Sequence, residues 1–80
     1  MEIMDKIQQI IASYVKGRTI QYDDLLIENG IDSVLMIEII MEFEEKFNIE
    51  FDLARLNYNT LKSIRSISEY IQSEIGNGGN

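Results

Sequence analysis

Gly30-Ile31-Asp32-Ser33-Val34-Leu35 is the stretch that decides how the chain is read, because a polar loop ends there and the most strongly patterned segment begins. Asp32 or Ser33 suits an N-cap, since a side-chain oxygen at either position can accept a hydrogen bond from a free first-turn amide. From Val34 to Phe47 there is no Gly or Pro, and Met, Leu, Ile, Glu and Lys dominate, which predicts a helix over the whole stretch. At about 100° per residue, Met36, Ile37, Ile39, Ile40, Phe43 and Phe47 gather into a broad apolar arc expected to face a core. Opposite them Val34, Glu38, Met41 and Glu45 form a stripe, flanked by Leu35, Glu42 and Lys46. A solvated face has no need of Val, Leu or Met. Apolar residues set among carboxylates suit a docking surface, with contact area from the first and steering of a basic partner from the second.

Outward from this helix the rest of the chain is also helical in pattern. Upstream, Ile3, Ile7, Ile10, Ile11 and Tyr14 share one side, with Met4 and Val15 beside them and Lys6, Gln8 and Gln9 opposite. This predicts an amphipathic first helix over 3–15, ended by Lys16-Gly17-Arg18, where a glycine supplies a C-cap and cations suit the helix dipole. Its polar face lacks the lysine and arginine surplus of a membrane-surface helix. Between Thr19 and Asp32 no period holds, yet Ile20, Tyr22, Leu25, Leu26, Ile27 and Ile31 are too many apolar residues for a free linker. The loop is expected to be pinned to the core, with a helical turn near Asp23 to Ile27.

Downstream, Asp52 suits the cap of a short turn through Leu53, Ala54, Arg55 and Leu56. Thr60 is expected to cap a last helix in which Leu61, Ile64, Ile67, Tyr70, Ile71 and Ile75 face inward and Lys62, Arg65, Ser66, Glu69 and Gln72 face outward, until Gly76 stops it. Three long helices and one short one make an all-α class, a small four-helix bundle around one core. Residues 1–75 are expected to form a single domain and 76–80 a flexible C-terminal tail.

Composition narrows what such a domain can do. Eighty residues leave room for one core, and 45% hydrophobic residues support folding despite a net charge of −7. There is no Cys and no His, which removes disulfides, thiolate chemistry, the usual neutral-pH base and the commonest zinc ligand. Ser33 has no visible base to activate it, so catalytic residues are not expected and the chain reads as a non-enzyme. Between positions 23 and 52, ten acidic residues stand against Lys46 alone, a local net charge of −9. Such a field repels nucleic acid. The acidic residues lack the alternating ligand spacing of an EF-hand, and no metal is expected. No segment has the pattern of a secretory signal or membrane span, so a cytoplasmic protein is the expectation, and a monomer is expected.

The residues around Ser33 carry a resemblance. Asp32-Ser33-Val34, then Ile37-Glu38-Ile39, Met41, Phe43-Glu44-Glu45 and Phe47, resemble the Asp-Ser-Leu helix of the acyl carrier and peptidyl carrier proteins. The length, the long loop before the serine and Thr60 also fit, so the likeness runs through nearly the whole chain. It implies an acyl-carrier-like bundle in which Ser33 bears 4'-phosphopantetheine, delivered from coenzyme A by a phosphopantetheinyl transferase, with Asp32 serving the transfer step. It implies cargo held as a thioester and presented to loading and processing enzymes whose basic patches dock on Val34, Leu35, Glu38, Met41 and Glu45. Such an arm would import the thiol that a chain without Cys lacks. Two departures stand out: Val34 replaces leucine, and Asp52 to Asn59 differs from the acidic segment of fatty-acid carriers. Fatty-acid, polyketide and nonribosomal peptide assembly, and D-alanine transfer to cell-wall polymers, all stay open. The rival of another class is a non-covalent acidic adaptor in which Ser33 is only a cap.

Overall fold

The computed structural model describes residues 2–16, 18–52, 54 and 56–78, with the backbone alone for Glu2, Asn77 and Gly78. Its elements are α1 (Glu2–Tyr14), a 3-10 turn (Leu26–Asn29), α2 (Ser33–Phe47), α3 (Tyr58–Leu61) and α4 (Ile64–Gly78). Three helices are long and one is short, as the periodicities predict.

Each long helix contributes one stripe to a shared interior. Ile7 and Ile11 come from α1, Met36, Ile39, Ile40 and Phe43 from α2, and Ile64, Ile67 and Ile71 from α4. Ile20, Leu26, Ile31 and Phe51 add to the same cluster from the connecting loops. α1 packs on both α2 and α4. The radius of gyration, 11.7 Å, is that of one compact body of this length. Burying an isoleucine or phenylalanine removes enough apolar surface to stabilise by about 1.5–3 kcal/mol, so these stripes hold the bundle together.

The loop before α2 is pinned as expected, by backbone pairing as well as by apolar contact. Gln8 Nε2 donates to the Ile20 carbonyl at 2.7 Å, the Arg65 amide to Tyr22 O at 3.0 Å and the Leu26 amide to Lys62 O at 2.9 Å. Tyr22 also donates its hydroxyl to Asp5, and Arg65 meets Asp23 at 2.6 Å on the surface. The helical turn lies at Leu26–Asn29 rather than near Asp23 to Ile27. It closes on Gly30, whose φ of 89° is left-handed and accessible to glycine at no steric cost.

The connection from α2 to α4 differs most from the expectation. α2 ends at Asn48 in the left-handed region, and Phe51 then turns into the core, its amide held by Glu44 Oε2 at 2.8 Å. Asp52 caps only a turn, accepting from the Ala54 amide at 3.1 Å; Leu53 and Arg55 of the expected helix lie outside the described residues. The short helix is instead Tyr58–Leu61, capped by Asn57, which accepts from the Thr60 amide. Thr60 therefore sits inside α3 and does not cap the last helix. That role falls to Ser63. Its Oγ accepts from the Ser66 amide at 3.2 Å while Ser66 Oγ accepts from the Ser63 amide at 3.1 Å, a reciprocal cap.

Four smaller differences remain. Ser66, expected outside, is half-buried by that cap, and Leu61 belongs to α3. α4 runs through Gly76 to Gly78 instead of stopping at Gly76. At the end of α1 the left-handed residue is Lys16, with φ 60°, while the expected glycine cap, Gly17, lies outside the described residues.

Candidate functional site

Everything singled out around residue 33 converges on the start of α2. Asp32 is its N-cap: the backbone there is extended and Oδ1 accepts from the Leu35 amide at 2.8 Å. Ser33 is thereby the first helical residue. It is exposed, and among the described residues its hydroxyl has no hydrogen-bond partner. The Leu35 and Met36 amides are spent on Asp32, but those of Ser33 and Val34 donate to no described group. Free first-turn amides carry the positive end of the helix dipole and suit an anionic phosphate. A group esterified to this hydroxyl would meet no steric barrier from the fold.

Ser33 also stands on the rim of an apolar groove of about 430 Å³. Ile31, Met36, Ile40, Leu56 and Leu61 line it, with Ile27, Ile37 and Tyr58 exposed around its mouth. Asp32 and Lys62 are its charged members. The groove is lined by the 3-10 turn, α2, α3 and the residues flanking them, and the Leu26 amide donates to Lys62 O beside it.

Along α2 the expected outward stripe is outward. Val34 is 69% exposed and Met41 62%, and Glu38 and Glu45 are exposed with them. Leu35 is different: it is half-buried and packs on the core. Ile37 is different in the opposite sense, since the apolar arc predicts it inside and it is 55% exposed. It joins Val34 and Met41 in one apolar line, at spacings of three and four. Glu42 faces away from this line. It accepts a 2.6 Å hydrogen bond from the Tyr14 hydroxyl of α1. That bond, with desolvation and the charges of Glu42 and Glu38, pushes the Tyr14 hydroxyl up to about 12.

Sequence reasoning missed the groove residues Ile27, Tyr58 and Lys62. Ile27 gave a signal, as an apolar residue close before Ser33 that no helical period requires. The other two become neighbours only through the fold.

Known proteins resemble this chain in sequence and in fold. The sequence profile of the phosphopantetheine attachment site matches residues 5–71, most of the chain. The chain belongs to that carrier-protein family. The carrier bears a 4'-phosphopantetheine prosthetic group, and families of this kind are themselves non-catalytic: transferases load them and biosynthetic enzymes work on what they hold. A similar curated protein is the D-alanyl carrier protein of Leuconostoc mesenteroides subsp. mesenteroides, 29% identical over 79 residues, covering 95% of this chain and all of that one. In fold the carrier is similar to the solution structure of a holo acyl carrier protein from Nitrosomonas europaea, with a TM-score of 0.80 and 17% identity over 95% of this chain and 99% of the other. Among the described residues no helix is long and apolar enough to cross a membrane.

Proposed function

We propose that Ser33 is the residue that bears the arm, and that this carrier presents acyl or aminoacyl groups for fatty-acid, polyketide or nonribosomal peptide assembly. The observation that carries this reading is the exposed hydroxyl, unpartnered among the described residues, at the first residue of α2 on the rim of an apolar groove. When bound, the arm supplies the thiol that holds cargo as a thioester. The chain's own residues do the rest. Ser33 offers the point of attachment, the Ser33 and Val34 amides favour the phosphate, and Asp32 fixes the helix start so that both stay presented.

Asp32 also places a carboxylate beside that phosphate, which is unfavourable at rest. Beyond its cap, Asp32 would serve the transfer step, through a metal ion held by the transferase. Val34, Ile37 and Met41 give the partner its apolar contact, and Glu38 and Glu45 orient a basic surface against them.

The attachment is tested by intact mass after incubation with coenzyme A, magnesium and a phosphopantetheinyl transferase. Wild type is expected to gain one arm and Ser33→Ala none; no gain on folded wild type, or a gain that Ser33→Ala retains, would overturn the assignment of the arm to Ser33. A second reading of the cargo, D-alanine for cell-wall polymers, is favoured by the similarity to the Leuconostoc carrier. Loading the holo protein with octanoyl or D-alanyl groups separates the two. Acyl cargo is expected to shift the methyl resonances of Met36, Ile40 and Leu61 inside the groove. If octanoyl moves none of them and a D-alanyl ligase charges the protein, the second reading stands.

A further inference from the structure

Attaching a phosphodiester at Ser33 adds negative charge to a surface that is already strongly acidic. Asp32 is adjacent, Glu28 lies on the preceding turn and Glu38 further along α2. An anion there is drawn toward any nearby cation, and the described residues offer few. Arg65 is committed to Asp23, and Arg18 donates to Asn29 at 2.9 Å. Lys6 and Lys46 line a separate recess between α1 and α2, together with Glu42, and Lys16 follows the end of α1 and does not line the groove. Lys62 is the one cation among the described residues lining the groove that Ser33 rims.

Its position is not accidental to the packing. Lys62 follows α3 directly, and its carbonyl accepts the Leu26 amide at 2.9 Å, which fixes this backbone against the turn that leads to Ser33. Its side chain is exposed, and among the described residues it has no ion-pair partner. A four-carbon stem with a compact ammonium head can run along apolar groove wall and keep its charge at the mouth.

We propose that Lys62 is a positioning residue for the arm: its ammonium pairs with the phosphodiester at Ser33 and holds the arm's first atoms over the groove between α2 and α3. This rests on Ser33 being the attachment site. The pair is solvent-exposed and screened by salt, so its work is directional, favouring arm conformations on the groove side of α2 over those on the Met41 side.

The test compares apo and holo protein by amine labelling with a limiting acylating reagent, followed by peptide mass spectrometry. Labelling of Lys62 is expected to slow by about twofold on attachment of the arm, the size of effect an exposed ion pair gives, while Lys6 and Lys46 label at unchanged rates. In about 1 M salt the protection should vanish. A second readout uses the holo protein with Lys62→Gln and Lys62→Arg, both exposed substitutions: the phosphorus NMR resonance of the phosphodiester should move in the first and be restored in the second. Equal Lys62 labelling in apo and holo protein, with the arm confirmed on Ser33 by mass, overturns the role of Lys62 alone. An arm found elsewhere or not at all overturns the Ser33 reading, and this one with it.

Discussion

Replacing Asp32 separates two tasks that meet in one carboxylate. As N-cap it accepts from the Leu35 amide at 2.8 Å, and as a charge it sits at the positive end of α2, a helix of 15 residues. Asp32→Ala removes both the cap, worth about 1 kcal/mol, and the favourable charge–dipole contact, worth about 0.5 kcal/mol. Asp32→Asn keeps an oxygen able to cap and loses only the second. With an unfolding entropy of about 0.17 kcal/mol/K for a chain of this size, the alanine variant should melt about 9 °C lower and the asparagine variant about 3 °C lower. Thermal unfolding by circular dichroism reads both, and about 1 M salt should bring the Asp32→Asn variant and wild type together by screening the charge–dipole contact. The same two proteins are then offered to the transferase. If the charge serves the transfer, Asp32→Asn is slow although its helix start is intact. An alanine variant melting within about 2 °C of wild type would refute the capping argument, and an asparagine variant modified as fast as wild type would refute the role in transfer.

Other consequences follow from the packing of α2. Ile39 is fully buried and Ile37 is not, so Ile39→Ala should cost about 2–4 kcal/mol in urea unfolding and Ile37→Ala under about 1, while only the latter weakens transferase binding. Reversing charge at Glu38 and Glu45 together should lower affinity for the transferase roughly tenfold at low salt and leave the melting temperature nearly unchanged, as calorimetry and titration can check. The Tyr14 hydroxyl, held neutral by Glu42 and raised from 10.0 to about 12, stabilises the fold fully below its unfolded value of 10.0. That contribution fades as pH climbs through about 12, so Tyr14→Phe should flatten the alkaline limb of a stability–pH curve and remove the latest-titrating phenol from the ultraviolet titration.

What the sequence could determine was local. The start of α2 was legible because capping reaches only three residues along the chain, from Asp32 to the Leu35 amide. The three long helices were legible because isoleucines recur at helical spacing with no proline to break them. The acidic outward face of α2 followed from the same geometry, and the residues around Ser33 carried the resemblance to carrier proteins.

What the sequence could not decide were choices between equally good local options. Asp52 and Asn57 are both sound caps, and the short helix starts after Asn57, downstream of Phe51, which is drawn into the core beside Phe43 and Tyr70. Thr60 and Ser63 both suit the start of α4. Ser63 prevailed where Ser66 returns its bond and the Tyr22 carbonyl takes up the Arg65 amide. Ile37 and Ile39 lie on one apolar arc, yet the packed core covers only the second, leaving Ile37 at the mouth of a groove. That groove, with Tyr58 and Lys62 on its edge, joins residues as distant in sequence as Leu26 and Lys62. No period or cap encodes such a neighbourhood. It arises only when the helices have packed, because side chains so distant along the chain meet through the core that holds their backbones.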